Sequence, residues 1–136
     1  MNDIDMWNRF IKEVCGAFHK DNSDSFSQIQ KNAIIALYYD AEVNNGGHTL
    51  FFDCFGDVFS NEEVAAALRE IGGEAFASNF LSAAAHIHYT EEMGYMDDDE
   101  DAEQDPIEDD IYYDRQPRLP ELLEIYIRDH KEQIFS

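Results

Sequence analysis

The chain has 136 residues, with 30 acidic side chains against 9 lysines and arginines and a formal net charge of −21. Hydrophobic residues make up 44% and aromatics 13%, enough apolar surface to build a core, which excludes a wholly disordered chain. So negative a chain repels phosphate, which excludes direct binding to nucleic acid or an anionic membrane surface and makes a basic partner the natural one.

Ile4, Trp7, Phe10, Ile11, Val14 and Phe18 fall at spacings of three and four, one apolar face of a helix over residues 3–19. A polar, turn-like stretch follows. The next helix spans 27–44, with Ile29, Ala33, Ile34, Leu37, Tyr38 and Ala41 facing inward. It stops at Asn44-Asn45-Gly46-Gly47, because Asn and Gly tolerate the left-handed conformation that closes a helix. Residues 48–55 carry Phe51, Phe52 and Phe55 at a spacing that suits two helical turns.

Ser60-Asn61-Glu62-Glu63 reads as a capping box and opens a helix that ends at Gly72-Gly73. Phe76, Phe80, Ala83, Ala84 and Ile87 mark another helix over 74–93. Beyond Pro106, a short helix is expected to touch the core through Ile107, Ile111, Tyr112 and Tyr113. Leu122, Leu123, Tyr126, Ile127 and Ile134 describe the last helix. No strand-like alternation or internal repeat stands out. The expectation is an all-α fold: one domain over 1–136, of six or seven helices, with an acidic loop or short helix before the last.

The charge is not evenly spread. Residues 1–90 hold 13 acids and 5 bases, residues 115–136 hold 4 of each, and residues 91–114 hold 13 acids and no base. The candidate partner-binding residues therefore lie in that block: Glu91, Glu92, Asp97, Asp98, Asp99, Glu100, Asp101, Glu103, Asp105, Glu108, Asp109 and Asp110, with Tyr112 and Tyr113. Carboxylates pair with the arginines and lysines that a DNA-binding protein offers to phosphate. Exposed ion pairs contribute little singly, so such a surface needs an apolar anchor, for which Tyr95, Tyr112 and Tyr113 are the candidates.

Tyr39-Asp40-Ala41-Glu42-Val43-Asn44-Asn45-Gly46-Gly47, followed by Phe51-Phe52, resembles a bacterial all-helical family typified by the DNA-mimic protein numbered nineteen. Glu70-Ile71-Gly72-Gly73, the alanine-rich helix after it and the closing segment extend the likeness over roughly residues 30–135. His48 departs from the pattern, since an aromatic is common after the glycines. The resemblance implies an all-α fold, admits homodimers, and includes a relative whose acidic surface stands in for DNA on a transcription regulator. The shared motif is a helix stop with core aromatics, so mimicry in this chain has to rest on its own charges.

Other chemistries are weaker. Asp97, Asp99, Asp101, Asp105 and Glu108 match positions one, three, five, nine and twelve of a calcium loop, but Ala102 stands where glycine is required. His86 and His88 are two apart and point to different sides of a helix, so they do not chelate one ion. There is no nucleophile elbow, phosphate-binding glycine loop or zinc spacing, and we read neither an enzyme nor a cofactor or metal site. Cys15 and Cys54 are expected as buried thiols, and the absence of a disulfide framework or basic-apolar leader suits the cytoplasm. The reading is an acidic cytoplasmic protein that binds a basic protein, foremost a DNA-binding regulator. The alternatives are an immunity-type inhibitor of a basic nuclease or toxin, and a calcium-binding helical module.

Overall fold

A long central helix organises the molecule. The computed structural model describes residues 3–93 and 106–135. Helix α1 (Asp3–Arg9) continues through a widened π turn (Phe10–Val14) and a tight 3-10 turn (Cys15–Ala17), so the first predicted helix is present but changes pitch along its length. Met6, Phe10, Val14, Cys15 and Phe18 from this stretch are buried.

Helix α2 (Gln28–Phe55) begins at a capping box: Ser27 Oγ accepts from the Gln30 amide at 3.1 Å, and Gln30 Oε1 accepts from the Ser27 amide at 2.9 Å. It carries 28 residues but is not continuous, for Gly46 and Gly47 leave helical geometry in its middle. The predicted stop is therefore real, and the helix resumes at once instead of entering a loop. Helix α3 (Asn61–Glu70) starts at the predicted box of Ser60 and Glu63, with bonds of 3.1 and 3.2 Å. It closes at Gly72, whose φ is +90°, with the Gly73 amide donating to Leu68 O at 2.8 Å.

Helix α4 (Glu74–Met93), α5 (Ile107–Asp114), α6 (Leu119–Asp129) and α7 (Lys131–Ile134) complete the fold, and α2 packs against α3, α4, α5, α6 and α7. The predicted final helix is divided at His130, which has φ −120° and ψ 27°. The fold is all-α, with no strand among the described residues. No helix among them is long and apolar enough to cross a membrane.

Tyr39 lies at the centre of the core. Its ring meets those of Phe51, Phe80 and Tyr112 edge-on, at 5.2, 5.5 and 5.5 Å between centroids. Such edge-to-face pairs add about 0.5–1.5 kcal/mol each beyond the area they bury. Cys15 is buried as expected and burial pushes its thiol up to about 12, but Cys54 is exposed. In the resumed half of α2 Phe51 is buried, Phe52 and Phe55 pack against the core, and Asp53 and Cys54 are exposed.

Candidate functional site

The break in α2 and the short helix α5 are built around each other. At Gly47 the backbone takes φ +78° and ψ −177°, a conformation that essentially only glycine adopts. The restarted helix then presents free amides at its first turn, as any helix N-terminus does. No local serine or aspartate caps it. Asp109, 61 residues further along the chain, supplies the acceptor instead: its Oδ1 takes the His48 amide at 2.9 Å. The same oxygen lies 2.6 Å from His48 Nδ1. A methyl group at Gly47 would overlap Asp109 Oδ2, so the missing side chain is what lets the carboxylate approach.

His48 is completely buried, and its Nε2 is 2.5 Å from Tyr39 Oη. Burial pushes the imidazole below its ordinary pKa, against the opposing pull of Asp109, so the ring is neutral near pH 7. Burial likewise holds the Tyr39 hydroxyl well above its ordinary value, with the Asp109 and Asp40 charges adding to the effect. Tyr39 therefore keeps its proton and donates to Nε2, and the single imidazole proton sits on Nδ1, facing Asp109. The row of hydroxyl, imidazole and carboxylate resembles a catalytic relay only on paper. Tyr39 and His48 have no exposed surface, so no nucleophile reaches solvent. Asp109 Oδ2 is buried without a hydrogen-bond partner.

A second set of bonds ties α5 to the turn of α2 before the break. Tyr112 donates to Asp40 Oδ1, which also accepts from Asn44 Nδ2 at 2.9 Å. Tyr113 donates to Val43 O at 2.6 Å, and Arg118 Nη2 reaches Asn44 Oδ1 at 3.3 Å. From the other side, α4 holds Glu108. Ser82 Oγ donates to Glu108 Oε2 at 2.8 Å, His86 Nδ1 lies 3.3 Å from Oε1, and Asn79 Nδ2 donates to Glu108 O at 3.0 Å. Burial alone would raise the pKa of Glu108, but the bonds from Ser82, its own backbone and His86 outweigh it and bring the carboxyl below its ordinary value.

Helix α5 is thus turned inside out relative to expectation. Glu108 and Asp109 are 5% and 2% exposed, while Ile107 and Ile111 are 63% and 45% exposed. Tyr112 reaches the core and Tyr113 packs against it, as predicted, but the two isoleucines do not. The hydrophobic pattern misleads here because Asn79, Ser82, His86 and the amide of His48 make the buried side of α5 polar.

The remaining candidates divide cleanly. Glu91 and Glu92 belong to the last turn of α4. Asp97, Asp98, Asp99, Glu100, Asp101, Glu103 and Asp105, with Tyr95 and most of the calcium-loop register, lie outside the described residues. Asp110 and Asp114 are exposed on α5. Among the described residues no group of three or more His, Cys, Asp or Glu is placed to hold a metal ion. From the sequence Asp109 stood only among the partner-binding acids and was not paired with His48; the local signal was a histidine where the resemblance expected an aromatic.

An all-helical protein, strongly acidic, with its asparagine–glycine motif locked by interior bonds, is the class that fold and site define. The chain belongs to the DMP19-like protein family, whose model matches residues 24–130. No curated protein and no solved structure matched it.

Proposed function

We propose that this protein uses its acidic surface to occupy the basic DNA-binding face of a transcription regulator, in place of DNA. The observation that carries this reading is the run 91–114, with 13 acids and no base. Two of those acids, Glu108 and Asp109, are spent inside the fold, which leaves Glu91, Glu92, Asp97, Asp98, Asp99, Glu100, Asp101, Glu103, Asp105, Asp110 and Asp114 as the acids for a partner. The bonds at Glu108 hold α5 against α4, so the helices on either side of residues 94–105 are fixed to one body.

The total charge has the right size. A domain of this length is about 37 Å across, and that length of duplex carries about 22 phosphates at one per 1.7 Å; the net charge is −21. The family description supports the same reading, since the family takes its name from a DNA-mimic protein.

The test is capture of partners from the source cell on the immobilised full-length chain, followed by competition. A captured regulator should be displaced by its own operator duplex, and its affinity should fall steeply between low and moderate salt. A flat salt response, or a ternary complex in which regulator holds duplex and acidic protein together, would overturn the proposal. Capture of a basic nuclease whose activity is blocked would favour an inhibitor instead.

A further inference from the structure

We propose that the outward face of α5, formed by Ile107, Asp110, Ile111 and Asp114, is the anchor by which the protein docks on a basic partner surface carrying an apolar seat ringed by arginine or lysine. This rests on the reading of a basic partner above and names the contact that gives it affinity beyond charge.

The four residues are spaced at i, i+3, i+4 and i+7, which puts them on one side of the helix. All four are exposed. Packing alone would choose the opposite arrangement, with isoleucines inside and acids in water. Here Glu108 and Asp109 are inside and Ile107 and Ile111 are outside. The inversion leaves two β-branched side chains in solvent on a helix that has a polar interior to bind.

The face is also held still. Glu108 is bonded to Ser82, Asp109 to His48, Tyr112 to Asp40 and Tyr113 to Val43, so α5 is fixed from α4 and from both halves of α2. Docking on a surface already in place loses little side-chain or loop freedom, and β-branched side chains have few rotamers to lose. Charge chooses the occupant. Asp110 and Asp114 flank the isoleucines, and the whole run 91–114 contains no base. A second copy of this chain would set those same aspartates against each other, because a two-fold contact pairs a patch with itself. A basic surface meets them with the opposite sign. Of the anchors expected from sequence, Tyr112 and Tyr113 are engaged inside and Tyr95 lies outside the described residues; on α5 the isoleucines are the exposed apolar groups.

The experiment compares two labelled probes on the full-length chain: oligolysine, which offers charge alone, and an amphipathic helical peptide of equal charge with leucines on one face. The wild-type chain should bind the amphipathic peptide roughly 10- to 100-fold more tightly than oligolysine, in the range of a hot-spot anchor. The double substitution Ile107→Ser with Ile111→Ser should remove that advantage and leave oligolysine binding and the helical circular dichroism unchanged. Asp110→Asn with Asp114→Asn should slow association and reduce the salt slope.

Equal affinities for the two probes, or a peptide preference that survives the isoleucine substitutions, would overturn the anchor while leaving the basic partner standing. Failure to bind either probe at low salt would overturn both. A wild-type dimer by sedimentation that becomes monomeric in the isoleucine variant would assign this face to a second copy and overturn the proposal.

Discussion

Two glycine pairs interrupt the helices of this protein, and they do different things. At Gly72-Gly73 the chain ends a helix in the ordinary way: Gly72 takes a positive φ, the Gly73 amide returns to Leu68 O, and a methyl group at Gly72 would meet open space. At Gly46-Gly47 the chain stops and restarts within two residues, and Gly47 is pressed against a carboxylate from another helix. The first pair serves its own neighbourhood. The second is a joint between α2 and α5, so a break that looks local depends on residue 109. The same contrast holds for helix starts, since α3 is capped by its own Ser60 and the resumed half of α2 by Asp109.

The joint depends most on Asp109. Asp109→Ala strands the His48 amide and ring N–H in the interior, which should lower stability by about 2–5 kcal/mol, read from the urea midpoint. A loss below that of a surface substitution would mean that the resumed helix needs no cap. Gly47→Ala comes next, at about 1–3 kcal/mol from the backbone alone, with a further loss because the carboxylate must move. Gly72→Ala meets no neighbour and should lose only the left-handed penalty of about 1–2 kcal/mol. Equal losses at the two glycines would erase the distinction. Ser60→Ala gives the scale of a local cap, about 1 kcal/mol, and Asp109→Ala should clearly exceed it.

The smallest effect is a pH dependence. The folded protein holds His48 below its ordinary pKa of about 6.5, so on acidification the unfolded chain takes up a proton first. Stability should therefore fall as the pH drops below about 6.5, towards the lowered folded value. Glu108, also lowered, contributes stability that is present above its ordinary value and is lost at more acid pH, as its folded pKa is passed. In the window between, His48→Gln should flatten the slope, checked by thermal melts from pH 7 to 5. An unchanged slope would remove His48 as its source.

What the sequence made legible follows the range of each interaction. Ser60 and Glu63 are capping partners three residues apart and were readable as such; Ser27 and Gln30 have the same spacing, and there only the start of the helix near residue 27 was expected. The all-α class was readable from apolar spacing, and the glycine motif from its composition. The helical turns over 48–55 were readable from the spacing of their phenylalanines, but the cap that starts them was not, because it comes from 61 residues away and from a run in which one aspartate looks like any other. The isoleucines of α5 were assigned inward because apolar periodicity marks a face without saying what lies opposite. The opposite surface is polar, made by Asn79, Ser82, His86 and the break in α2. Cys54 failed for a related reason: one thiol in a half-helix has no pattern to place it.

The reach of Asp109 also bears on how the chain emerges from a ribosome. Residues up to the glycine break and those after it can each begin to coil early, but the joint between them has no acceptor until residue 109 has been made. Helix coiling takes about a microsecond or less, whereas synthesis adds roughly 5–20 residues per second. The gap of 61 residues therefore leaves the centre of the longest helix open for several seconds in every newly made molecule. Completion of α5 would close that wait, and α6 and α7, which also pack on α2, are made later still.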